Sequence, residues 1–412
     1  MITPKMVKVR QEFPKNQIPD VQDYLQKELE QHFPQVKSGS SIAITVGSRG
    51  ITNRVLIVKT IVEYLQNKGA KPFVIGAMGS HGGGTPEGQL DVLKSLGFLE
   101  ETVGCPVFTS SEVVEVGKTP SGFTVYCDRY AWESDGIIVL NRIKLHTAFR
   151  GPNESGLLKM ITVGLGKAKG ANQLHKQGPS KMSEAVREVG GTFLKTGKVL
   201  AGIGIVENGY DQTAHLNVIV PDNIIEKEQE LLLLSKKYFP RLPVEQLDLL
   251  VIKNMGKNFS GTGMDTNVIG RNKIFGTPEP KNPKISRITV LDLDDSSHGN
   301  ATGVGLADFT TEKLFQKIDR EKTYLNCITS TYVQRAMIPI VMDNDEKSIV
   351  AAISSLAVDD PLKLRIAIID NTLELEEMYL SESVLLDIRG KVSIKSEPTY
   401  LSFDEKGELT LK

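Results

Sequence analysis

Apolar and polar residues alternate in blocks along the 412-residue chain. A short apolar run, SIAIT (Ser41 to Thr45), opens into the polar stretch VGSRGIT. A segment of helical period follows from about Asn53 to Asn67 and stops at Gly69. The pattern then repeats. Phe73 to Ala77 reads as a buried strand, Gly76 to Gln89 (GAMGSHGGGTPEGQ) as a glycine loop, and Leu90 to Leu96 as a helix. Thr85 suits the N-cap of that helix, Pro86 its first turn and Glu87 the positive end of its dipole. Two strand–loop–helix units in a row predict parallel strands with right-handed crossovers. Both loops then lie at the same, C-terminal edge of the sheet, with Arg49 near His81.

The remaining pattern is coarser. A short strand and a helix from about Asp20 to His32 open the chain, and strands are expected at Val107, Gly122 to Cys127 and Gly136 to Leu140. The last runs into a polar loop bearing Arg142, Lys144 and His146. Asn153 or Ser155 is positioned to cap a short helix through Lys159; Gly164, Gly166 and Gly170 break it, and a second helix carries His175. Strands at Val199 to Val206 and His215 to Val220 precede a helix from about Asn223 to Tyr238. The Pro-bounded RLPVEQ segment (Arg241 to Gln246) marks a boundary, which gives an N-terminal cofactor-binding and catalytic domain, 1–243, and a C-terminal domain, 244–412. In the second, strands at Asp248 to Ile252, Arg287 to Leu293 and Leu364 to Ile369 alternate with helices around Leu306 to Ile318 and Glu346 to Ser355. The tail TYLSFDEKGELTLK reads as a hairpin turning at Glu405 to Gly407. The fold class is α/β: two α/β domains with mostly parallel sheets facing a central cleft.

Bulk properties narrow the function. The net charge of −1 gives no electrostatic case for nucleic acid or an anionic membrane. Three scattered cysteines form no CxxC, the N-terminus has no apolar signal core, and no apolar run reaches about 18 residues. A cytoplasmic enzyme with a small-molecule substrate is the expectation. HExxH, CxxC, GxSxG and a GxGxxG ahead of a helix are absent.

Chemistry concentrates in the first domain. Of six histidines, His81, His146 and His175 follow strands in loops or at helix ends, whereas His32, His215 and His298 do not. Two imidazoles across a pocket can serve as base on one face of a substrate and acid on the other, and a third can hold a metal. Structural zinc wants four ligands, so a cage made of protein donors alone is not indicated. Arg49 could fork onto a carboxylate, and Lys159, Lys257, Arg271 and Lys273 fall in loops or at helix starts.

The order Arg49, His81, His146, Lys159, His175 and Lys273 resembles the nickel-pincer lactate racemase family of 2-hydroxyacid racemases and epimerases. The segments GSRG, GSHG, KLHTAF, SGLLK and NQLH stand where that family has D-x-T-R, a GTHR-like loop, a second catalytic His, G-G-x-K and a further His. The resemblance implies a pyridinium bisthiocarboxylate mononucleotide that pinches nickel, attached covalently through Lys159 and completed by His175 as metal ligand. It implies His81 and His146 as the acid/base pair for reversible hydride transfer from C2. Arg49, Lys273 and Arg271 would meet the substrate, Ser48, Gly82 and Gly83 the cofactor, and cofactor-synthesis proteins would be partners in maturation. Val46 replaces the family Asp and Ser48 the Thr, while Ile269 and Gly270 stand where the family has Tyr-Gln. These changes suggest a sugar acid or dicarboxylate rather than lactate. The alternative is a carboxylate- or phosphosugar-binding protein of the same fold without this chemistry.

Overall fold

The computed structural model describes residues 3–388 and 390–411. It divides into two compact units, one of residues 14–239 and one that joins the first thirteen residues to 240–412.

Unit 14–239 is built on a six-stranded sheet. Its strands are β1 (Ser41–Val46), β2 (Lys71–Gly76), β3 (Val107–Phe108), β4 (Gly136–Arg142), β5 (Val199–Glu207) and β6 (Thr213–Ile219). The spatial order is β3-β2-β1-β4-β5-β6, parallel throughout except for the antiparallel pair β5/β6. Near-continuous apolar strands are what a sheet covered on both faces requires. Ile42, Ile44 and Val46 of β1 face one core with Leu25, Ile57, Ile61 and Leu65, while Ala43 joins Ile137, Val139, Leu157 and Phe193 in the other. The helices that bear on the site and core are α1 (Val21–His32), α2 (Arg54–Asn67), α3 (Pro86–Ser95), α4 (Leu157–Lys159), α5 (Lys167–His175), α6 (Pro179–Leu194) and α7 (Ile224–Tyr238), with further short helical segments between them. Thr85 caps α3 by accepting the Gly88 N–H at 3.2 Å, with Pro86 in the first turn, as the sequence predicts. A hairpin of Val113–Lys118 and Thr124–Asp128 interrupts the alternation.

The strand order has a direct consequence. From β1 the chain moves to one side for β2 and β3, then returns to the other side as β4. The order therefore reverses between β1 and β4, and the crevice beyond the strand C-termini at such a reversal is where open α/β sheets bind ligands. The loops after β1, β2 and β4 all open there.

The other unit carries an eight-stranded sheet. Ile340–Met342, Phe309–Thr311, Lys284–Leu293, Gln246–Met255 and Ile366–Ile369 run parallel in that order. Glu377–Ser381, Met6–Arg10 and Ser393–Ile394 continue the sheet antiparallel. Three expectations differ from the structure here. The opening strand, Met6–Arg10, belongs to this unit rather than to the first domain, because its main chain pairs with Glu377–Ser381 and its Met6, Val7 and Val9 are buried. The break in the chain falls between Phe239 and Pro240, just before the segment expected to mark it. The helix expected around 306–318 is instead a strand, Phe309–Thr311, followed by a short helix, Glu312–Gln316. The buried hydroxyls of Thr310 and Thr311 donate to the Val290 and Leu291 carbonyls of the neighbouring strand at 2.8 and 2.6 Å. In the tail, Phe403 pairs with Leu409 around a turn in which Gly407 has φ 79°; Lys412, at its end, lies outside the described residues.

Candidate active site

The loop after β1 delivers Ser48 and Arg49, and the loop after β2 delivers His81. Since β1 and β2 are hydrogen-bonded neighbours, the two loops meet. His81 Nδ1 lies 2.9 Å from the Met78 carbonyl and 2.9 Å from Ser48 Oγ. A carbonyl oxygen only accepts, so the partners assign the ring proton to Nδ1. Nε2 then presents a lone pair, with Arg49 Nη2 at 3.4 Å. Arg49 Nη1 also donates to Ser48 Oγ at 3.1 Å, and burial lowers the guanidinium pKa below its usual range. The loop therefore holds a neutral, oriented imidazole beside a cation that no carboxylate of the described residues pairs.

The loop after β4 carries His146, whose ring stacks on Phe149 with centroids 4.1 Å apart. Its Nδ1 accepts the Ala148 N–H at 3.0 Å, and its Nε2 lies 2.5 Å from Lys159 Nζ. An amide only donates, so Nδ1 is unprotonated and the ring proton sits on Nε2, pointing at the amine. That contact is a hydrogen bond only if Lys159 offers a lone pair. The electrostatics agree in direction: burial, with Arg49 adding to it, pushes the Lys159 amine down to about 8. Lys159 is thus held toward its neutral, nucleophilic form.

Lys159 ends the short helix α4, and neither residue expected to cap that helix does so. Ser155 pairs through its main chain with Lys144, and Asn153 instead donates from Nδ2 to Glu228 Oε1 at 3.0 Å. The cap comes from α7, where Glu228 Oε2 accepts the Leu158 N–H at 2.9 Å. Beyond Lys159 the helix widens into a π-type turn, Met160–Gly164, closed by Leu165 N–H to the Met160 carbonyl at 2.9 Å. Such turns are rare and concentrate at functional sites. Gly164 is required by packing: a Cβ there would stand 2.8 Å from the Ala77 carbonyl at the end of the His81-bearing strand.

His175 is the last residue of α5. Burial, aided by the charge of Lys159, pushes its pKa down to about 4, so it is neutral near pH 7. Its Nδ1 is buried and has no hydrogen-bond partner. At the other end of α5, the buried Lys167 pairs with Asp128 at 3.1 Å and donates to the Gly76 carbonyl, tying the helix to the end of β2.

Ser48, Arg49, His81 and Lys159 line one cavity of about 160 Å³, together with Arg54, Arg142, Lys144 and Ser155. His146 reaches it through Lys159. Arg54 is buried, pushed down to about 10, and donates to the Gly47 carbonyl at 3.1 Å. Arg142 is neutralised by Glu207. No carboxylate of the described residues lines the cavity, so its field favours an anion. Among the described residues no three His, Cys, Asp or Glu side chains converge as a metal site.

The other expected residues are not among those lining this cavity. Gly82 and Gly83 are not in the cavity wall. Gly82, with φ 64°, serves loop packing, since a Cβ would meet the Gly88 main chain at 2.5 Å, while a Cβ on Gly83 would meet nothing within 4 Å. Arg271 and Lys273 belong to the other unit. The Arg271 guanidinium is occupied there, donating to Asp308 at 2.7 Å and to the Leu306 and Ile285 carbonyls at 3.0 Å, which makes it a structural tie. Lys273 Nζ donates to the Ala307 carbonyl at 3.2 Å. The sequence reading missed Glu154, Glu207 and Glu228. For Glu228 a signal existed: it falls on the buried stripe Ile224, Glu228, Leu231, Leu232 and Ser235, where a carboxylate needs a reason.

Comparison with known proteins places these observations. Residues 16–185 match the family model described as the lactate racemase N-terminal domain; Ser48, Arg49, His81, His146, Lys159 and His175 all fall inside that span. The fold is similar to the lactate racemase apoprotein from Thermoanaerobacterium thermosaccharolyticum, with a TM-score of 0.54 at 12% identity, over 90% of this chain and 99% of that one. No curated protein matches the sequence.

Proposed function

We propose that this chain, whose residues 16–185 match the lactate racemase N-terminal domain, is a racemase or epimerase that inverts C2 of a 2-hydroxy acid. The observation that carries the reading is the pairing of Lys159 Nζ with His146 Nε2 at 2.5 Å at the edge of the cavity into which His81 opens. Inversion needs a proton acceptor on one side of a substrate and a donor on the other, and attachment of a cofactor needs an amine free of its proton.

The residues fit a nickel-pincer nucleotide. Lys159, held toward the neutral amine, suits an acyl linkage, and His175 offers a buried imidazole nitrogen with no protein partner as the nickel donor. Val46, at the place of the family Asp, is buried in the sheet core, so any contact that Asp makes has no counterpart on this side chain. When bound, such a group supplies a reversible acceptor for the C2 hydride.

The chain's own residues do the rest. Arg49 holds the substrate carboxylate, its guanidinium already oriented by Ser48. His81, with an unprotonated Nε2, takes the 2-hydroxyl proton of one enantiomer, and His146, whose Nε2 carries the proton, returns one on the other face. Arg54 and Lys144 line the same cavity and favour an acid with a second polar or anionic group, such as a sugar acid or dicarboxylate. Ser48 stands on the cofactor side. Cofactor-synthesis proteins are the expected partners in maturation. No helix among the described residues is long and apolar enough to cross a membrane, and the working location proposed is the cytoplasm.

The test is a panel of single-enantiomer 2-hydroxy acids, incubated with protein produced alongside the cofactor-synthesis proteins and read by chiral chromatography. Interconversion of a sugar acid or dicarboxylate supports the reading. Turnover of lactate alone rejects the substrate assignment, and no turnover by cofactor-loaded protein rejects the activity.

A further inference from the structure

Among the described residues three glutamates are buried, Glu154, Glu207 and Glu228, and all three lie in unit 14–239. Burying a carboxylate is expensive unless it is paired and hydrogen-bonded, so three in one unit call for an explanation. Each accepts a main-chain amide from a segment that carries a candidate site residue. Glu207 Oε1 accepts the Thr52 N–H at 2.6 Å, three residues beyond Arg49. Glu154 Oε2 accepts the N–H of His146 itself at 2.8 Å. Glu228 Oε2 accepts the Leu158 N–H at 2.9 Å, one residue before Lys159.

Each carboxylate is itself held. Glu207 pairs with Arg142, and Glu154 with Lys236 at 3.4 Å and Arg150 at 3.8 Å. Glu228 Oε1 accepts from Asn153 Nδ2 at 3.0 Å, and Gly156 leaves it room, since a Cβ there would stand 2.5 Å from Oε2. The three come from the end of β5, the loop after β4 and helix α7. The side chains thus reach the site-bearing segments from separate directions; both oxygens of Glu207 and of Glu228 accept hydrogen bonds, while Glu154 Oε1 has the Lys236 ammonium at 3.4 Å without a hydrogen bond.

We propose that Glu154, Glu207 and Glu228 are positioning residues that fix His146, Arg49 and Lys159 from behind, through the main chain. The idea rests on the reading that those three form the site. Glu228 is the sharpest case because it replaces the missing local cap of α4. A carboxylate can accept on both oxygens at once, whereas the amide of glutamine turns a donor toward one of the two donors.

The experiment uses the full chain produced without cofactor and acetic anhydride as the probe. Acetylation of Lys159 is measured at pH 7.5 by peptide mass spectrometry, with exposed Lys195 as internal reference. Returning the amine from about 8 toward its ordinary range cuts its neutral fraction at this pH by about two hundredfold when complete. Glu228→Gln is therefore expected to slow Lys159 labelling at least about tenfold relative to Lys195. Glu228→Asp, which keeps the carboxylate, is expected to recover most of the rate. If Glu228→Gln does not fold by circular dichroism, Glu154→Gln gives the same readout through His146. A folded variant in which Lys159 labels at the wild-type rate overturns the proposal alone. A wild-type Lys159 no more reactive than Lys195 overturns the reading of the site beneath it as well.

Discussion

Replacing Lys159 by methionine should stabilise the cofactor-free protein near neutral pH, and the gain should fade as the pH rises. Burial and the neighbouring Arg49 hold the amine at about 8, against 10.5 for an ordinary lysine. Below pH 8 the amine is protonated in both folded and unfolded chains, and the folded state bears the full penalty of a confined ammonium. Between pH 8 and 10.5 the unfolded chain keeps a proton that the folded chain has released. Stability then rises with pH, and above 10.5 the penalty is gone. The gap amounts to about 3 kcal/mol as an upper bound, because Lys159 keeps partial contact with solvent. Methionine matches the length of the stem without the charge. Urea unfolding of both proteins at pH 7 and pH 10.5 isolates the effect, since other titrating groups cancel in the difference between them. The Lys159→Met protein should be the more stable at pH 7, with its advantage reduced by about 2–3 kcal/mol at pH 10.5. A difference that is the same at both pH values would refute the argument that this amine is held toward neutrality.

Further predictions follow from the same geometry. His81→Ala and His146→Ala should each abolish exchange of configuration at C2 in loaded protein while the adduct on Lys159 is retained, as read by chiral chromatography and intact mass. Arg49→Ala should raise KM for the hydroxy acid, with a loss in kcat/KM of about 2–3 kcal/mol, the scale of a charge-assisted pair; an unchanged KM would remove Arg49 from the carboxylate site. Lys167→Met should cost about 3–5 kcal/mol in urea unfolding, because it strands Asp128 in the core without its partner, and Lys167→Met/Asp128→Leu should recover much of that loss.

Much of the sheet that bears the site was legible, because β1, β2 and their helices carry their own local signals. Ile42, Ile44 and Val46 mark a buried strand, Thr85 and Pro86 mark a helix start, and parallel pairing follows from the rhythm. The meeting of Arg49 with His81 came from the same source. Contacts set by tertiary packing were not legible. The Met6–Arg10 strand finds its partner more than 360 residues away, and no local pattern shows that. The cap of α4 comes from Glu228 on α7, some 70 residues on, so a search for a nearby Ser or Asn finds the wrong group. Phe309–Thr311 is a strand because its hydroxyls and amides are taken up by the neighbouring strand, whereas its sequence fits a helix start equally well. Arg271 looked available in sequence and is occupied in space, since Asp308 and two carbonyls lie opposite its guanidinium.

The central claim is that Lys159 is the attachment point of a nickel-bearing nucleotide. Intact mass of the protein produced together with the cofactor-synthesis proteins, with peptide mapping and elemental analysis on the same sample, tests it directly. The account predicts an adduct of nucleotide mass confined to Lys159, accompanied by stoichiometric nickel that is lost in His175→Ala. Unmodified Lys159 under conditions that load a lactate racemase in the same host, or an adduct mapped to a different lysine, would contradict it.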